Sequence, residues 1–375
     1  MSTGLAPRAR GLPAHFESRV GQHIMAERVW VRVGGTVSHS TGTHDKALPT
    51  AAFDFDSTLR PHRGRGPGAA ATTLAFLVRL SEMFNLVIVS NGAAAAAPSA
   101  GLVDYVAALD RGAGRPGVTV YVPHARDRYR KPHTGTWEHY VSCICVGVHP
   151  WFAFFCGDAA GRPGDHSAAD YMYALNIGIP FITAESLFAR GITWSDPASL
   201  GCAAPAPAGL LVAATPTPSP SLAPRLRVVL VGSPASGKSY VARRSGLRIV
   251  SRDDEGGGFW RALAAAVGGG ESFIVDATNP KRKDRERLAA LLVDAAFAFE
   301  VWHIATPKAV CIHLNAARCQ LGERNVPAVA IHTYWARREP PGADEGADLG
   351  YTPREIPFSL SPAAPREVTA FRYCA

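Results

Sequence analysis

The sequence predicts two α/β domains, each built on a parallel sheet. The chain has 375 residues, which is enough for two ordinary domains with separate cores. Short apolar runs alternate with amphipathic, helix-like segments from about residue 50 to 195, and the same alternation resumes at residue 225. Such alternation is typical of βαβ units. Between the two regions lies an Ala-, Pro-, Ser- and Thr-rich stretch, which separates the predicted domains.

The first predicted domain covers residues 46–200. Its buried parallel strands are expected in continuous apolar runs: "TAAFDF", "FNLVIVSN", "GVTVYVP" and "WFAFFCGD". Two segments between them, "ATTLAFLVRLSEMF" and "HTGTWEHYVSCICV", suit amphipathic helices. We expect residues 1–45 to form a poorly ordered extension, apart from "ERVWVRVGGTV", which is typical of an edge hairpin.

The second predicted domain covers residues 225–375 and begins with the apolar strand "RLRVVLVG". Further strands are expected in "ESFIVDATN" and "FAFEVWHIA". Residues 201–224 are expected to be an extended, semi-rigid linker, because Pro and small residues dominate them.

Composition narrows the classes of partner and compartment. The net charge of +8 and the isoelectric point near 9.3 favour a polyanionic partner. No apolar run reaches the length of a membrane helix, so we expect no membrane association. The seven cysteines are scattered without a C-x-x-C pair, which predicts a reducing intracellular compartment and no zinc-finger type of metal site.

Polar residues follow the predicted strands of the first domain. Because the carboxyl ends of parallel strands meet at one edge, these side chains should lie together. Carboxylates, a hydroxyl and a lysine in one crevice are typical of a site for a hard cation and a phosphate group. The residues in question are Asp54, Asp56, Ser90, Lys131, Asp158 and Asp170.

These residue types predict phosphoryl transfer to an aspartate, with Mg²⁺ as the metal. We expect Asp54 to be the nucleophile and Asp56 the general acid and base. Ser90 and Lys131 would hold the phosphoryl oxygens, and Asp158 would complete a metal shell that also includes Asp54 and Asp56. The expected supporting role of Asp170 is to orient a metal-bound water or Lys131.

The segment "GSPASGKS" at 232–239 fits G-x-x-x-x-G-K-[ST] between a predicted strand and a predicted helix, which predicts a phosphate-binding loop; the alternative is a Gly-rich turn with a chance Lys-Ser. Backbone N–H groups of such a loop wrap the β-phosphate, and ATP is the expected phosphate donor. Lys238 should reach the β- and γ-phosphates, and Ser239 should bind Mg²⁺. The full set of expected phosphate-binding residues is Gly232, Ser233, Pro234, Ala235, Ser236, Gly237, Lys238 and Ser239.

Three further residues are candidates for the acceptor side of the second site. Asp253 follows a short apolar run and could take a proton from an attacking hydroxyl. Asp276 ends another strand and could act as a Walker B-like or hydroxyl-positioning acid, or simply cap a helix. Arg318 lies on a segment suited to a lid that closes over the γ-phosphate, although an exposed helical arginine would give the same pattern.

The motifs resemble known families. "DFDST" resembles the D-x-D-G-T signature of the haloacid dehalogenase superfamily of phosphatases, with Ser57 in place of glycine in a turn that needs a small residue. In order along the chain, "FDFDSTL", "RKPHTGTWEH", "CGDAAGR", "ALNIGIPF", "GSPASGKS", "SRDD" and "DATNP" resemble the polynucleotide kinase 3′-phosphatases. We expect no N-terminal phosphopeptide-binding module like that of vertebrate relatives, because residues 1–45 are too short for one.

This resemblance implies a haloacid dehalogenase-like Rossmannoid phosphatase followed by a P-loop kinase. The implied reactions are Mg²⁺-dependent removal of 3′-phosphates and ATP-dependent phosphorylation of 5′-hydroxyls at DNA ends during strand-break repair. It implies that Asp253 is the kinase base, that Arg318 is the lid arginine, and that Arg252 positions the acceptor strand. The implied setting is the nucleus, or wherever DNA repair occurs, with ligase or repair partners and a monomeric enzyme.

The basic segments "RPHRGRG" (60–66) and "HARDRYRKP" (124–132) would guide nucleic-acid phosphates toward Asp54, with Tyr129 stacking on a base. Their alternative interpretation is solvated loops. At the level of function, the alternatives are a 3′-phosphatase with an inactive kinase half, an inactive module that binds DNA ends, and a small-molecule phosphatase fused to a metabolite kinase. Intact Asp54 and Lys238 argue against the inactive module.

Overall fold

The chain divides into two units, Met1–Ala203 and Ala204–Ala375. The computed structural model describes residues 22–25, 28–33, 36–42, 44–61, 70–91, 98–113, 117–146, 153–192, 194–211 and 225–373. None of the helices in these ranges is long and apolar enough to cross a membrane.

The first unit is built on an eight-stranded sheet with the order β1-β2-β3-β6-β5-β4-β7-β8. Five of the strands, β6, β5, β4, β7 and β8, run parallel. The other three, β1, β2 and β3, form an antiparallel meander, and β3 pairs antiparallel with β6. The strands are β1 Gln22–Met25, β2 Arg28–Val33, β3 Thr36–Gly42, β4 Thr50–Phe53, β5 Asn85–Val89, β6 Gly117–Pro123, β7 Ala153–Gly157 and β8 Phe181–Thr183.

The central strands are apolar on both faces because helices cover both sides of the sheet. Alternate residues of β4 point to opposite faces, so Phe53 lies in one apolar cluster and Ala52 in the other. The same alternation places Phe154 and Phe155 of β7 in different clusters. The helices of this unit are α1 Ala70–Leu80, α2 Ala100–Gly112, α3 Gly135–His139, α4 Ala169–Ile177 and α5 Ala184–Arg190.

Helix ends in the first unit follow local sequence signals. The hydroxyl of Ser99 accepts a hydrogen bond from the backbone N–H of Leu102 and caps α2. Thr183 caps α5 in the same way through the N–H of Ser186. The helix α3 continues into a single π-helical turn, Tyr140–Ile144. These caps fix where the helices begin, and therefore where the preceding loops leave the sheet.

The second unit is built on a five-stranded parallel sheet with the order β10-β11-β9-β12-β13. Its strands are β9 Leu226–Val231, β10 Arg248–Ser251, β11 Phe273–Asp276, β12 Ala298–Ile304 and β13 Thr352–Ile356. Its helices are α6 Lys238–Arg244, α7 Arg252–Glu255, α8 Phe259–Gly268, α9 Arg282–Leu292, α10 Lys308–Gln320, α11 Ala328–Arg337, α12 Ala343–Leu349 and α13 Arg366–Thr369.

A buried ion pair joins two helices of the second unit. The guanidinium of Arg285 on α9 donates to both carboxylate oxygens of Glu345 on α12, at 2.6 and 2.7 Å. The same guanidinium donates to the carbonyl oxygen of Asn279, at 3.1 Å. Asn279 in turn donates from its amide to the carbonyl of Leu230 in β9. This chain of contacts ties the end of the central strand to the outer helices.

The prediction of two parallel α/β domains is confirmed. The N-terminal region differs from the expectation, because residues 22–42 supply three strands where we predicted a poorly ordered extension. The predicted hairpin is present as β2 and β3, but it is internal to the sheet, since β1 lies outside it and β3 pairs with β6.

The start of the predicted linker is packed and not extended. It contains a 3₁₀ turn, Pro207–Gly209, and Leu211 lies in an apolar cluster with Val310, Ala317 and Val368. Apolar side chains near the start of this Pro-rich stretch gain more from burial than from solvation, which explains the difference. Residues 212–224 lie outside the described ranges.

Candidate active sites

Three of the predicted residues of the first site directly follow neighbouring parallel strands. Asp54 follows β4, Ser90 follows β5, and Asp158 follows β7. The backbone N–H of Asp54 donates to the carbonyl of Cys156 at 2.8 Å, and the N–H of Ser90 donates to the carbonyl of Tyr121 at 3.0 Å. These bonds continue the sheet ladder by one residue, so the side chains of Asp54 and Ser90 have fixed positions at the sheet edge.

Lys131 lies at the centre of this site. Its ammonium is 2.6 Å from Oδ1 of Asp54 and 2.8 Å from Oδ1 of Asp170, and only 1% of the lysine side chain is exposed. Asp170 also accepts a hydrogen bond from the backbone N–H of Ala159 through Oδ2, at 3.0 Å. A side chain at position 157 would overlap the Asp170 carboxylate, so Gly157 permits this close approach.

Two residues that the sequence analysis missed hold the Lys131 backbone. The side-chain amide of Asn91 exchanges two hydrogen bonds of 2.9 Å with the backbone N–H and C=O of Lys131. Asn176 donates to the carbonyl of Pro132 at 3.0 Å. Asn91 stands immediately after the predicted Ser90 in "VSN", so a polar residue at a strand end was the available signal.

The carboxylates that could hold a metal are Asp54, Asp158 and Asp170, which have oxygens within 4.8 Å of one another. The predicted ligand set is therefore different from the observed cluster. Asp170, expected to act in support, belongs to the cluster. The carboxylate of Asp56 lies outside it and is bonded to Arg60 at 3.1 Å. The side chain of Asp56 is 37% exposed, whereas the three clustered carboxylates are buried.

Electrostatics at this cluster favour an additional cation. Burial raises the pKa of Asp54 to about 8, and the neighbouring Asp170 and Asp158 oppose the contribution of Lys131. Burial and Asp170 raise the pKa of Asp158 to about 6. Burial opposes the charge of Lys131, but Asp170 and Asp54 outweigh it and raise the pKa of the lysine. Three carboxylates facing one ammonium form an oxygen donor set that fits a hard divalent cation.

The turn after Asp54 places Thr58 against the carboxylate cluster. Ser57 has a φ of 66°, in the region that favours glycine, and its N–H donates to the carbonyl of Arg60 at 2.9 Å. Thr58 then lies under the cluster, where its hydroxyl donates to Oδ1 of Asp158 at 3.4 Å. The sequence analysis placed Ser57 in a tight turn but did not identify the left-handed conformation.

In the two basic segments, Arg60 and Tyr129 make contacts within the protein that differ from the expected contacts with a nucleic acid. In "RPHRGRG", Arg60 is bonded to Asp56, and residues 62–69 lie outside the described ranges. Tyr129 is only 8% exposed, so its ring is not available to stack on a base as predicted. It is held in place because it packs beneath Arg128, whose guanidinium lies 6.0 Å from the ring centroid. Arg126 remains exposed.

The phosphate-binding loop of the second unit connects β9 to α6, as predicted. Ala235 and Gly237 have φ values of 59° and 95°, which turn successive N–H groups toward one side of the loop. The ammonium of Lys238 donates to the carbonyl of Ser233 at 2.6 Å. The hydroxyl of Ser236 is buried and has no hydrogen-bond partner within the described residues, which fits a loop that receives phosphate oxygens.

The candidate residues of the second site are electrostatically coupled to Lys238. Burial lowers the pKa of Lys238 to about 8, the carboxylates of Asp276 and Asp253 oppose this, and Arg318 adds to it. Asp276 is the last residue of β11, and Asp253 lies on α7 directly after β10, so both predicted acids lie at the carboxyl ends of strands. Arg318 lies in the last turn of α10, where it donates to Glu323 at 2.9 Å.

A cavity of about 850 Å³ opens beside the phosphate-binding loop. Residues 235–239 and Arg318 line it, together with residues 356–365 near the C-terminal end of the unit. A second cavity of about 460 Å³ lies next to Arg252, with Trp260 and Arg287 among its lining residues. The guanidinium of Arg287 stacks 3.8 Å from the Trp260 ring centroid, and neither residue was singled out from the sequence.

Fold and site together give an α/β domain with a carboxylate cluster at its sheet edge, followed by an α/β domain with a P-loop sequence between a strand and a helix. Residues 49–188 match the family model described as polynucleotide kinase 3 phosphatase, and residues 258–341 match an AAA domain. These two matches, in this order, confirm the resemblance that the motifs predicted.

Two of the three relatives described below carry both a phosphatase and a kinase in their names. A bifunctional polynucleotide phosphatase/kinase of Schizosaccharomyces pombe is 29% identical over 255 residues, covering 64% of this chain and 60% of its own length. A putative bifunctional polynucleotide phosphatase/kinase of Acanthamoeba polyphaga mimivirus is 26% identical, covering 57% and 59%. The polynucleotide 3′-phosphatase ZDP of Arabidopsis thaliana is 42% identical over 66 residues, which cover 16% of this chain and 9% of ZDP. The chain thus spans about three-fifths of the first two relatives it matches.

Among solved structures, a putative kinase from Chloroflexus aurantiacus is 14% identical and covers 39% of this chain and 91% of its own. Its TM-score of 0.28 is too low to support a statement about the fold.

Proposed function

We propose that this protein prepares nucleic-acid ends for ligation, as a 3′-phosphatase and a 5′-hydroxyl kinase in one chain. The observation that carries the proposal is the contact of Lys131 with both Asp54 and Asp170 at the sheet edge, in a chain that also has a phosphate-binding loop. The family match over residues 49–188 and the names of the relatives support the choice of substrate.

In the proposed phosphatase reaction, a carboxylate oxygen of Asp54 attacks the phosphorus of the 3′-phosphate. The P–O3′ bond breaks as Asp56 gives its proton to the leaving oxygen. Water then attacks the aspartyl-phosphate and gives a proton to Asp56, which releases inorganic phosphate and restores Asp54. Lys131 holds a phosphoryl oxygen and stabilises the charge that develops on it. Ser90, at the end of β5, is proposed to bind another of these oxygens.

Mg²⁺ is the proposed metal, held by Asp54 and Asp158 with Asp170 within reach of the same position. Bound there, it would neutralise the carboxylates and polarise the phosphoryl group. The raised pKa of Asp54 gives the physical reason, because the nucleophile must be ionised to attack.

In the proposed kinase reaction, the loop at residues 232–239 binds the phosphates of ATP, and Ser239 contributes to the Mg²⁺ site. Lys238 contacts the β- and γ-phosphates and Asp253 accepts the proton of the 5′-hydroxyl. Arg318 stabilises charge on the transferring phosphoryl group from the wall of the cavity. Arg252, beside the second cavity, positions the acceptor strand. Asp276, whose charge acts on Lys238, orients a hydroxyl or a metal water.

The proposed substrates are DNA ends, bound through their phosphates by a chain with a net charge of +8. Such contacts carry no base information, so sequence preference is not part of the proposal. The proposed setting is DNA strand-break repair in the nucleus or wherever such repair occurs, as a monomer that hands ligatable ends to a ligase. The domain limits of 46–200 and 225–375 are proposed as the two catalytic regions.

The test is an end-by-end mass measurement. The full chain is incubated with Mg²⁺, ATP and an oligonucleotide that carries a 3′-phosphate and a 5′-hydroxyl. Loss of one phosphate and gain of another supports both activities. Loss without gain supports the alternative, a 3′-phosphatase whose P-loop domain does not act as a kinase. No change at either end overturns the nucleic-acid assignment.

Two matched variants assign each reaction to its own site. Asp54→Asn should abolish loss of the 3′-phosphate and leave the kinase unchanged. Lys238→Ala should abolish gain of the 5′-phosphate and leave the phosphatase unchanged. If either variant removed both activities, separate sites would be refuted.

A further inference from the structure

We propose that Arg60 is a positioning residue for Asp56, and that it holds this carboxylate in the orientation needed for proton transfer. The inference rests on the proposed phosphatase function and adds to it a residue that belongs to neither the metal cluster nor the phosphoryl-binding groups. Nε and Nη2 of Arg60 both lie 3.1 Å from Oδ1 of Asp56. Two donors on one oxygen fix the carboxylate more narrowly than a single contact does.

The backbone turn is built to make this contact. The left-handed Ser57 reverses the chain, its N–H bonds to the carbonyl of Arg60, and residues 56 and 60 form an isolated β-bridge. The two side chains therefore leave the same tight turn next to each other. An ion pair this exposed adds little to stability, so its main effect is on orientation.

The guanidinium of Arg60 also packs against two further groups. It lies over the ring of Phe55, 5.1 Å from the centroid. On another side its Nη1 packs against the α2 backbone at Gly101, where any Cβ would overlap Nη1. Phe55 is buried, so its ring is packed in the core beside the guanidinium. Three separate features, the carboxylate, the ring and the glycine, hold the same group.

The predicted consequence concerns proton transfer and not phosphate binding. Asp56 gives a proton to O3′ in the first step and accepts one from water in the second. An alkoxide such as O3′ is a poor leaving group and needs the proton, whereas p-nitrophenolate leaves without one. Loss of the Arg60 contact should therefore slow the first step for a 3′-phosphate ester and spare it for p-nitrophenyl phosphate. The second step is common to both substrates and should slow in each.

The experiment measures the first turnover and the steady state of Arg60→Ala with both substrates at saturating Mg²⁺. For a 3′-phosphorylated oligonucleotide we expect the first turnover to fall about 10–100-fold, within the range of general acid catalysis, with KM within about 2-fold. For p-nitrophenyl phosphate we expect a first turnover within about 3-fold of wild type, followed by a slower steady state. The product trace should then show a burst of about one nitrophenol per enzyme.

Two further variants separate positioning from folding. Gly101→Ala keeps the arginine and suits a helix, but it displaces the guanidinium, so it should reproduce the burst without loss of thermal stability. Arg60→Lys should recover part of the first-turnover rate on the oligonucleotide. In an Asp56→Asn background, Arg60→Ala should cause no further loss, because the two residues act as one unit.

Equal losses of the first turnover on both substrates, or no loss on either, would overturn the role of Arg60. A wild-type enzyme inactive on both substrates would instead refute the proposed phosphatase, so the two failures are distinguishable.

Discussion

Replacing Lys131 with methionine removes the only ammonium that contacts the carboxylate cluster within the described residues, while keeping most of the side-chain volume. Lys131 is nearly fully buried, with Asp54 at 2.6 Å and Asp170 at 2.8 Å. Removing one partner of a buried ion pair typically costs about 3–5 kcal/mol, because a charge is left buried without compensation. We expect a loss of up to that size for the first unit at pH 8 in EDTA, because Asp170 loses its partner while Asp54, whose pKa is already about 8, takes up a proton more readily without the ammonium.

The loss should depend on pH in a defined direction. Burial raises the pKa values of Asp54 to about 8 and of Asp158 to about 6, so both carboxyls are largely protonated at pH 5. A protonated cluster needs less countercharge, and the destabilisation should be smaller at pH 5 than at pH 8. Catalysis should also suffer, because a fixed charge on a phosphoryl oxygen is worth about 10²–10³ in kcat.

Scanning calorimetry of the full chain measures the stability, and release of phosphate from a 3′-phosphorylated oligonucleotide measures kcat. Lys46→Met is the matched control, because Lys46 is an exposed lysine of the same unit and should change neither quantity. A Lys131→Met protein with wild-type stability at pH 8, or with kcat within 3-fold of wild type, would refute this account of the cluster.

Three further outcomes follow from the same structure. Ser57→Gly should raise the free energy of unfolding by up to about 1 kcal/mol, because its φ of 66° suits glycine; a clear loss in urea unfolding would contradict the strain. Mg²⁺ should bind more tightly as pH rises from 6 to 8, because it requires the ionised forms of Asp54 and Asp158; calorimetric affinities that stay constant or fall would contradict this. Arg285→Met should destabilise the second unit by about 3–5 kcal/mol, and adding Glu345→Leu should recover part of that loss; a second variant less stable than the first in urea unfolding would refute it.

The features that the sequence predicted are those carried by patterns along the chain. Apolar runs on both faces of β4 and β7 require a parallel sheet covered by helices, and polar residues that follow such strands must meet at one edge. Asp54, Ser90 and Asp158 followed from this rule alone. The phosphate-binding loop followed from its spacing and its flanking strand and helix.

The features that the sequence did not predict depend on side-chain contacts that form only once the chain is folded. Asp56 is two residues from Asp54, but beside the left-handed turn at Ser57 its carboxylate contacts Arg60 and lies outside the metal cluster. Tyr129 lies in a basic loop, but the loop folds inward and buries the ring. Asn91 acts through the backbone of Lys131, forty residues away, which no local pattern reveals.

The N-terminal strand β3 covers an edge of the parallel part of the first sheet. Over its whole length, β3 is hydrogen-bonded to β6, the last of the parallel strands on that side. Without β3, the backbone N–H and C=O groups of β6 that point away from β5 would form an open row of donors and acceptors, which is a template for pairing with another chain. A protein shortened to begin at residue 46 would retain every proposed catalytic residue and lose this cover. The shortened protein should therefore aggregate more readily in concentrated solution, while its turnover number stays the same.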